Sequence, residues 1–152
     1  MSSLHIMPGH LIRRLQQISV SLFAARMAEA GLDLTSVQYA AMATLHDHPG
    51  LDQGTLAGLI AYDRATIGGV VDRLAQKGLV LRETSAKDRR ARILTLTAEG
   101  ERVLESATPW VERVQEDIVA CLSEEERRTF HALLRKTTDA GNDLSRAPLR
   151  RP

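Results

Sequence analysis

The stretch from Asp63 to Thr97, DRATIGGVVDRLAQKGLVLRETSAKDRRARILTLT, narrows the folds open to this chain more than any other. Asp63 is placed to cap a helix, and Ile67, Val70, Val71 and Leu74 recur at helical spacing. Gly78 follows Lys77 where a left-handed C-terminal residue is wanted, so the pattern predicts a helix ending near Lys77. Leu79 to Glu83 then reads as a strand. Leu94 and Leu96 flank Thr95 in a second strand, and Thr84 to Arg90 forms the hairpin tip. The charge here is lopsided. Between Arg73 and Arg92 seven basic residues stand against two acidic ones, an excess of five in a chain whose net charge is +1, so the remainder sums to −4. A helix followed by a cationic hairpin can place the helix in a major groove and the hairpin tip against the backbone or minor groove.

The flanking sequence supplies the frame. Pro8 and Gly9 delay the first helix until about His10, after which Leu11, Leu15, Ile18 and Leu22, continued by Phe23 and Met27, form one apolar stripe up to Gly31. That stripe is more than a short arm can bury alone, so it packs against a second chain or the C-terminal helices. Thr35 and Gln38 make a capping box for a helix that stops at Pro49-Gly50, and Asp52 caps a short third helix containing Leu56, Leu59 and Ile60. Three short helices with tight turns followed by a hairpin are the winged helix-turn-helix pattern. Thr97 caps a long helix with Val103, Ala107, Trp110, Val114, Ile118 and Cys121 on one face, and Pro109 within it should kink it or remove a hydrogen bond. Ser123 and Glu126 cap a last helix with Phe130, Leu133, Leu134 and Thr137 on its core face. Gly141 ends it, and the tail 142–152 is expected to fray.

Composition sets the outer bounds. With 152 residues and 43% apolar content the chain can bury one sizeable core or two small lobes. One cysteine, Cys121, forms no internal disulfide, and its apolar helical setting marks an inert core thiol. No apolar run approaches the roughly 20 residues of a membrane span, and no signal-peptide pattern opens the chain. A cytoplasmic protein without membrane contact is expected.

The motifs Val71-Asp72-Arg73-Leu74, Lys77-Gly78-Leu79-Val80 with Arg82, Asp88 and Arg90 one residue apart, and Leu96-Thr97 with Gly100 fall in the order and spacing of a known family. The chain resembles the MarR (multiple antibiotic resistance regulator) transcription factors from about His10 to Ala140. The resemblance implies a mainly α fold, with a winged helix-turn-helix DNA-binding domain over 35–97 carrying a two-stranded wing. A helical dimerisation domain built from 10–31 and 98–141 would join two copies into a homodimer on a pseudo-palindromic operator of double-stranded DNA. It further implies a repressor released by a small, often aromatic, acid. The Gly68-Gly69 pair departs from what base readout by long side chains in the recognition helix requires.

The DNA-binding candidates follow. With Ile67, Val70, Val71 and Leu74 facing inward, Arg64, Thr66, Gly69, Arg73 and Gln76 remain for the outward side. Gly68 and Gly69 allow close approach to DNA or pack against the second helix. In the wing, Arg90 resembles the family arginine of the minor groove and Asp88 holds the loop, while Lys87, Arg89 and Arg92 neutralise phosphates. Arg73 has an alternative partner in a nearby carboxylate such as Asp72. For an effector, His10, Arg14 and Gln17 share one face of the first helix, and Tyr39, Met42 and His46 one face of the second. Were those faces to meet, with Trp110 as a wall, they would enclose a pocket suited to an aromatic carboxylate. Tyr39 and Trp110 as ordinary core aromatics are the alternative. His46 and His48 lack the further ligands of a zinc site, so no metal or cofactor is expected. A protein-interaction module without DNA binding is the competing function. An enzyme is not expected, because no nucleophile elbow, phosphate loop or paired catalytic acids occur.

Overall fold

A computed structural model describes residues 3–152. A short 3-10 turn (Ser3–Ile6) leads into α1 (Pro8–Ala30), which starts two residues before the predicted His10 because proline is well tolerated at the first helical position. α2 (Ser36–Asp47) begins at the predicted capping box: Thr35 Oγ1 accepts from Gln38 N at 3.2 Å, and Gln38 Oε1 accepts from Thr35 N at 3.1 Å. α3 (Gln53–Leu59) and α4 (Ile67–Gln76) make the helix-turn-helix, followed by β2 (Val80–Thr84), β3 (Arg92–Leu96), α5 (Ala98–Ile118) and α6 (Glu124–Ala140).

The sheet holds one strand that periodicity did not reveal. β1 (Leu51–Asp52) pairs antiparallel with β3, Leu51 opposite Leu94, so that the order is β1-β3-β2. Two residues are too few to show alternation. The core runs through the whole frame, joining Phe23 and Met27 of α1 to Ala41, Met42 and Leu45 of α2, Leu56 of α3, Val71 and Leu74 of α4, and Leu104 and Val114 of α5.

Asp52 caps α3 as expected, its carboxylate accepting from Thr55 N and from Thr55 Oγ1, both at 2.8 Å. These bonds favour the ionised form and hold its pKa below the ordinary aspartate range. A carboxyl depressed in the folded state contributes stability above its unfolded pKa of about 3.9, and that contribution is lost as pH falls through the folded value. Asp52→Ala is therefore expected to cost about 1 kcal/mol near neutral pH. In urea melts the difference from the parent protein should shrink steadily below pH 4; a difference that persists unchanged at pH 2 would refute the capping role.

Four expectations need correction. Asp63 is not the N-cap of α4: its carboxylate accepts from Ala65 N at 2.8 Å, two residues on, which makes a turn. The helix starts only at Ile67, with Thr66 as its N-cap. The buried stripe of α5 is Gly100, Leu104, Ala107, Val111 and Val114, so Val103, Trp110 and Ile118 are only partly buried against the core. Cys121 lies beyond the end of α5 and is exposed, because the helix stops at Ile118. The tail is tied down rather than frayed: Asn142 Nδ2 donates to Leu149 O at 3.0 Å and Leu149 N donates to Asn142 Oδ1 at 2.8 Å.

α5 runs through Pro109, where the missing amide leaves the Glu105 carbonyl without its helical donor. α1 packs along α5, and Arg26 reaches Asp117 with a two-pronged contact at 2.7 and 2.9 Å. This guanidinium lowers the Asp117 pKa, and the carboxylate raises that of Arg26. A fifth correction concerns α6, which buries none of its residues within the chain, so the expected core face of Phe130, Leu133, Leu134 and Thr137 meets no core there.

Candidate nucleic-acid interface and effector cleft

α4 presents its apolar side to the core through Ile67, Val70, Val71 and Leu74, all buried. Its other side carries Gly69, Arg73 and Gln76, all exposed. The two glycines divide their roles. A Cβ on Gly68 would lie 3.3 Å from Gln53 Nε2, so Gly68 packs against α3, not the second helix; a Cβ on Gly69 would meet nothing within 4 Å. Arg64 sits in the turn before α4 with its guanidinium folded over Gly54, and Thr66 donates from Oγ1 to Asp63 O at 3.2 Å.

The end of α4 is held from two sides. Gly78, at φ 73°, takes the left-handed conformation, and Leu79 N donates to Leu74 O at 3.0 Å, closing the last turn. Thr97 Oγ1 donates to Gly78 O at 2.6 Å while accepting from Gly100 N at 3.0 Å, and Thr97 N donates to Leu79 O at 3.1 Å. The start of α5 is thus joined to the end of α4.

Not every cation in the basic stretch is available to a ligand. Lys77 Nζ donates to Asp33 O at 2.5 Å and to Gln38 Oε1 at 3.2 Å, tying α4 to the α1–α2 link. Arg82 of β2 pairs with Asp72 at 2.5 Å. Asp72 is thereby turned to the sheet and not to Arg73, which takes part in no ion pair among the described residues. The same holds for Lys87, Arg89, Arg90 and Arg92, all exposed. The wing loop is shaped from within: Asp88 Oδ1 accepts from Arg90 N at 2.9 Å, and Ser85 Oγ accepts from Lys87 N at 3.2 Å. Asp88 organises the tip, as the sequence implied.

A cleft of about 830 Å³ opens between α2 and α5. Tyr39 and His46 line it, Tyr39 Oη lying 3.1 Å from Thr108 Oγ1 and His46 Nδ1 2.7 Å from Glu101 Oε2. The other expected effector residues lie elsewhere in the single chain. Met42 is fully buried in the core, Arg14 borders a separate shallow groove on α1, and His10 packs edge-on to His5 with ring centroids 5.6 Å apart. Trp110 carries the Arg113 guanidinium 4.9 Å above its ring. Sequence reasoning missed the acidic wall of this cleft, formed by Asp47, Glu101, Glu105 and Glu112. The repeating 101, 105, 108, 112 spacing on α5 was the available signal, since those positions share one helical face.

No helix among the described residues is long and apolar enough to cross a membrane. A sequence profile of the MarR family matches residues 34–91. The transcriptional regulator HosA of Escherichia coli O127:H6 is 42% identical over 104 residues, covering 68% of this chain and 77% of HosA. The PcaV transcriptional regulator from Streptomyces coelicolor, solved in complex with its natural ligand, superposes with a TM-score of 0.83 at 37% identity over 93% of this chain and 98% of that one. BpsR of Bordetella bronchiseptica, solved to explain regulation of its DNA binding by 6-hydroxynicotinic acid, superposes with a TM-score of 0.81 at 30% identity, over 88% of this chain and 94% of that one. HosA and PcaV are transcriptional regulators, and BpsR binds DNA under the control of a small acid. With six α-helices and a three-stranded winged sheet among the described residues, and an exposed cationic face, the chain belongs to the MarR family of ligand-responsive, DNA-binding transcriptional regulators.

Proposed function

We propose that this regulator is a cytoplasmic repressor that binds a pseudo-palindromic operator as a homodimer and leaves it when a small aromatic carboxylate occupies the α2–α5 cleft. One observation carries the DNA side: the cations needed by the fold, Lys77 and Arg82, are paired, whereas Arg73, Lys87, Arg89, Arg90 and Arg92 are exposed and outside any ion pair among the described residues. α4 enters the major groove through its N-terminal turn, with Arg64, Thr66, Gly69, Arg73 and Gln76 nearest the bases and phosphates. Arg90 enters the minor groove, and Lys87, Arg89 and Arg92 neutralise the backbone.

α1, α5 and α6 form the dimerisation part, 35–97 the DNA-binding part. The exposed Leu11, Ile12 and Ile18 of α1 and Leu133 and Leu134 of α6 support this division. Within one chain the cleft's acidic residues outnumber its one arginine, Arg102, which is paired with Glu99, so a carboxylate effector is better held with cations added by the partner copy. In the dimer, α1 of the second copy supplies Arg14 and His10 beside Tyr39 and His46, while Met42 stays in the core behind α2 and Trp110 lies outside the cleft lining. BpsR, whose DNA binding responds to 6-hydroxynicotinic acid, supports an aromatic acid as the effector class.

Fluorescence anisotropy on a duplex selected from a random pool tests the reading. The protein should enrich a palindrome and bind it with a steep salt dependence, and a panel of hydroxylated aromatic carboxylates should contain one that releases it. Arg90→Ala should weaken binding on all sequences alike by roughly tenfold and lower the salt slope by about 1. Selection that yields no palindrome, or binding indifferent to salt, would reject the proposal.

A further inference from the structure

Among the described residues, the segment 142–152 makes its most specific contacts with the helix-turn-helix. The Asn142–Leu149 clamp folds it back on itself, and beyond the clamp Arg150 N donates to Gly58 O at 2.8 Å. Arg146 pairs with Asp63 at 2.6 Å, at the turn that precedes α4. Two glycines on one face of α3, four residues apart, make room for two arginines. A Cβ at Gly54 would lie 2.6 Å from the Arg64 guanidinium, and a Cβ at Gly58 would lie 3.2 Å from Arg150 Cβ. Arg64, Arg150 and Arg151 therefore border one groove, together with Thr55 and Asp52. The Asp52 carboxylate is already engaged by Thr55, and the three arginines are exposed and enter no ion pair among the described residues.

In a helix-turn-helix the first helix crosses the DNA backbone while the second enters the major groove. α3 is that first helix. The segment passes Gly58 and then reaches the Thr55 and Asp52 end of α3, so Arg150 and Arg151 arrive on the flank of the reading head beside Arg64. We propose that Arg64, Arg150 and Arg151 form an auxiliary phosphate clamp that grips the DNA backbone at the flank of each half-site. The clamp rests on the operator-binding reading above and extends its contact beyond α4 and the wing. Arg146 does not join it: its charge is taken by Asp63, and it serves to hold the segment in place.

The experiment compares the full-length protein with the Arg150→Ala/Arg151→Ala double variant on the same operator duplex, by anisotropy from 0.05 to 0.3 M KCl (conditions of roughly the range over which counterion release is read). Loss of two phosphate contacts should make the log–log salt slope shallower by about 1.8 per half-site and weaken binding at 0.15 M salt by roughly tenfold or more. The Arg150→Lys/Arg151→Lys variant should restore most of the slope, because a phosphate is met by charge. An unchanged slope in the alanine variant, with or without a lower melting temperature, would overturn the clamp and leave the segment as a structural brace. A slope lost in both variants would overturn it too, since charge would then not be the cause. If the parent protein binds no duplex, the operator-binding reading itself fails; if it binds and only the slope comparison fails, that reading stands and the clamp falls.

Discussion

Gly100→Ala is expected to be the most damaging single-atom change in the protein. A Cβ at position 100 would stand 2.1 Å from the Leu79 carbonyl oxygen and 3.1 Å from its carbon, both backbone atoms that cannot swing aside. Relief requires α5 to back away from the α4–β2 link, which breaks the bonds from Thr97 to Gly78 and Leu79. A loss of about 3 kcal/mol or more follows, at the upper end of overpacking effects. At about 2–4 °C per kcal/mol for a chain of this size, the melting temperature should fall by roughly 10 °C. Gly69→Ala is the control. Its Cβ meets nothing within 4 Å and it lies inside α4, so it should stabilise the protein by up to about 1 kcal/mol through helix propensity. Calorimetry on both variants decides the matter: equal melting temperatures would mean that the close approach at Gly100 is easily relieved. Should Gly69→Ala melt higher yet bind operator less tightly, the glycine is kept for the approach of DNA.

The second large effect is expected on α6. Leu133 is 57% exposed and Leu134 43% exposed within the chain, and the helix buries no residue of its own. Leu133→Asp/Leu134→Asp removes little packing from the single chain but places two carboxylates on the proposed dimer face, where each would be buried without a partner. The variant should run as a monomer by light scattering with its circular dichroism unchanged. Operator affinity should fall by about 10²–10⁴, the factor gained when a second half-site is bound intramolecularly. A variant that stays dimeric would show that α6 is not part of the interface.

The residues that announced themselves in the sequence were those whose partners lie within a few positions. The capping boxes at Thr35 and Ser123, the caps at Asp52 and Thr97 and the stop at Gly78 are all satisfied as read, because each depends on atoms three or four residues away. Asp63 failed for a related reason: its carboxylate had more than one local donor within reach, and it took the Ala65 amide two residues on. What the sequence could not display was long-range pairing. Lys77 with Asp33, Arg82 with Asp72 and Arg146 with Asp63 join residues 10 to 83 positions apart, and they decide which cations of a uniformly basic stretch remain available. The effector candidates suffered most. Helical periodicity placed Tyr39, Met42 and His46 on one face, but packing buried Met42 and set Tyr39 and His46 against α5.

The bonded junction between Gly78–Leu79 and Thr97–Gly100 makes α5 a lever whose short end is the recognition helix. At 1.5 Å per residue its 21 residues span about 31 Å, so a tilt of about five degrees around the far end displaces the junction by roughly 2.7 Å. A pair of such levers pointing in opposite directions would alter the separation of two recognition helices by about twice that amount, against a half-site spacing of about 34 Å set by the DNA helix. The wall of the α2–α5 cleft runs along the same helix from Ala98 to Glu112, so a molecule wedged there would press on the part of the lever that starts at the junction.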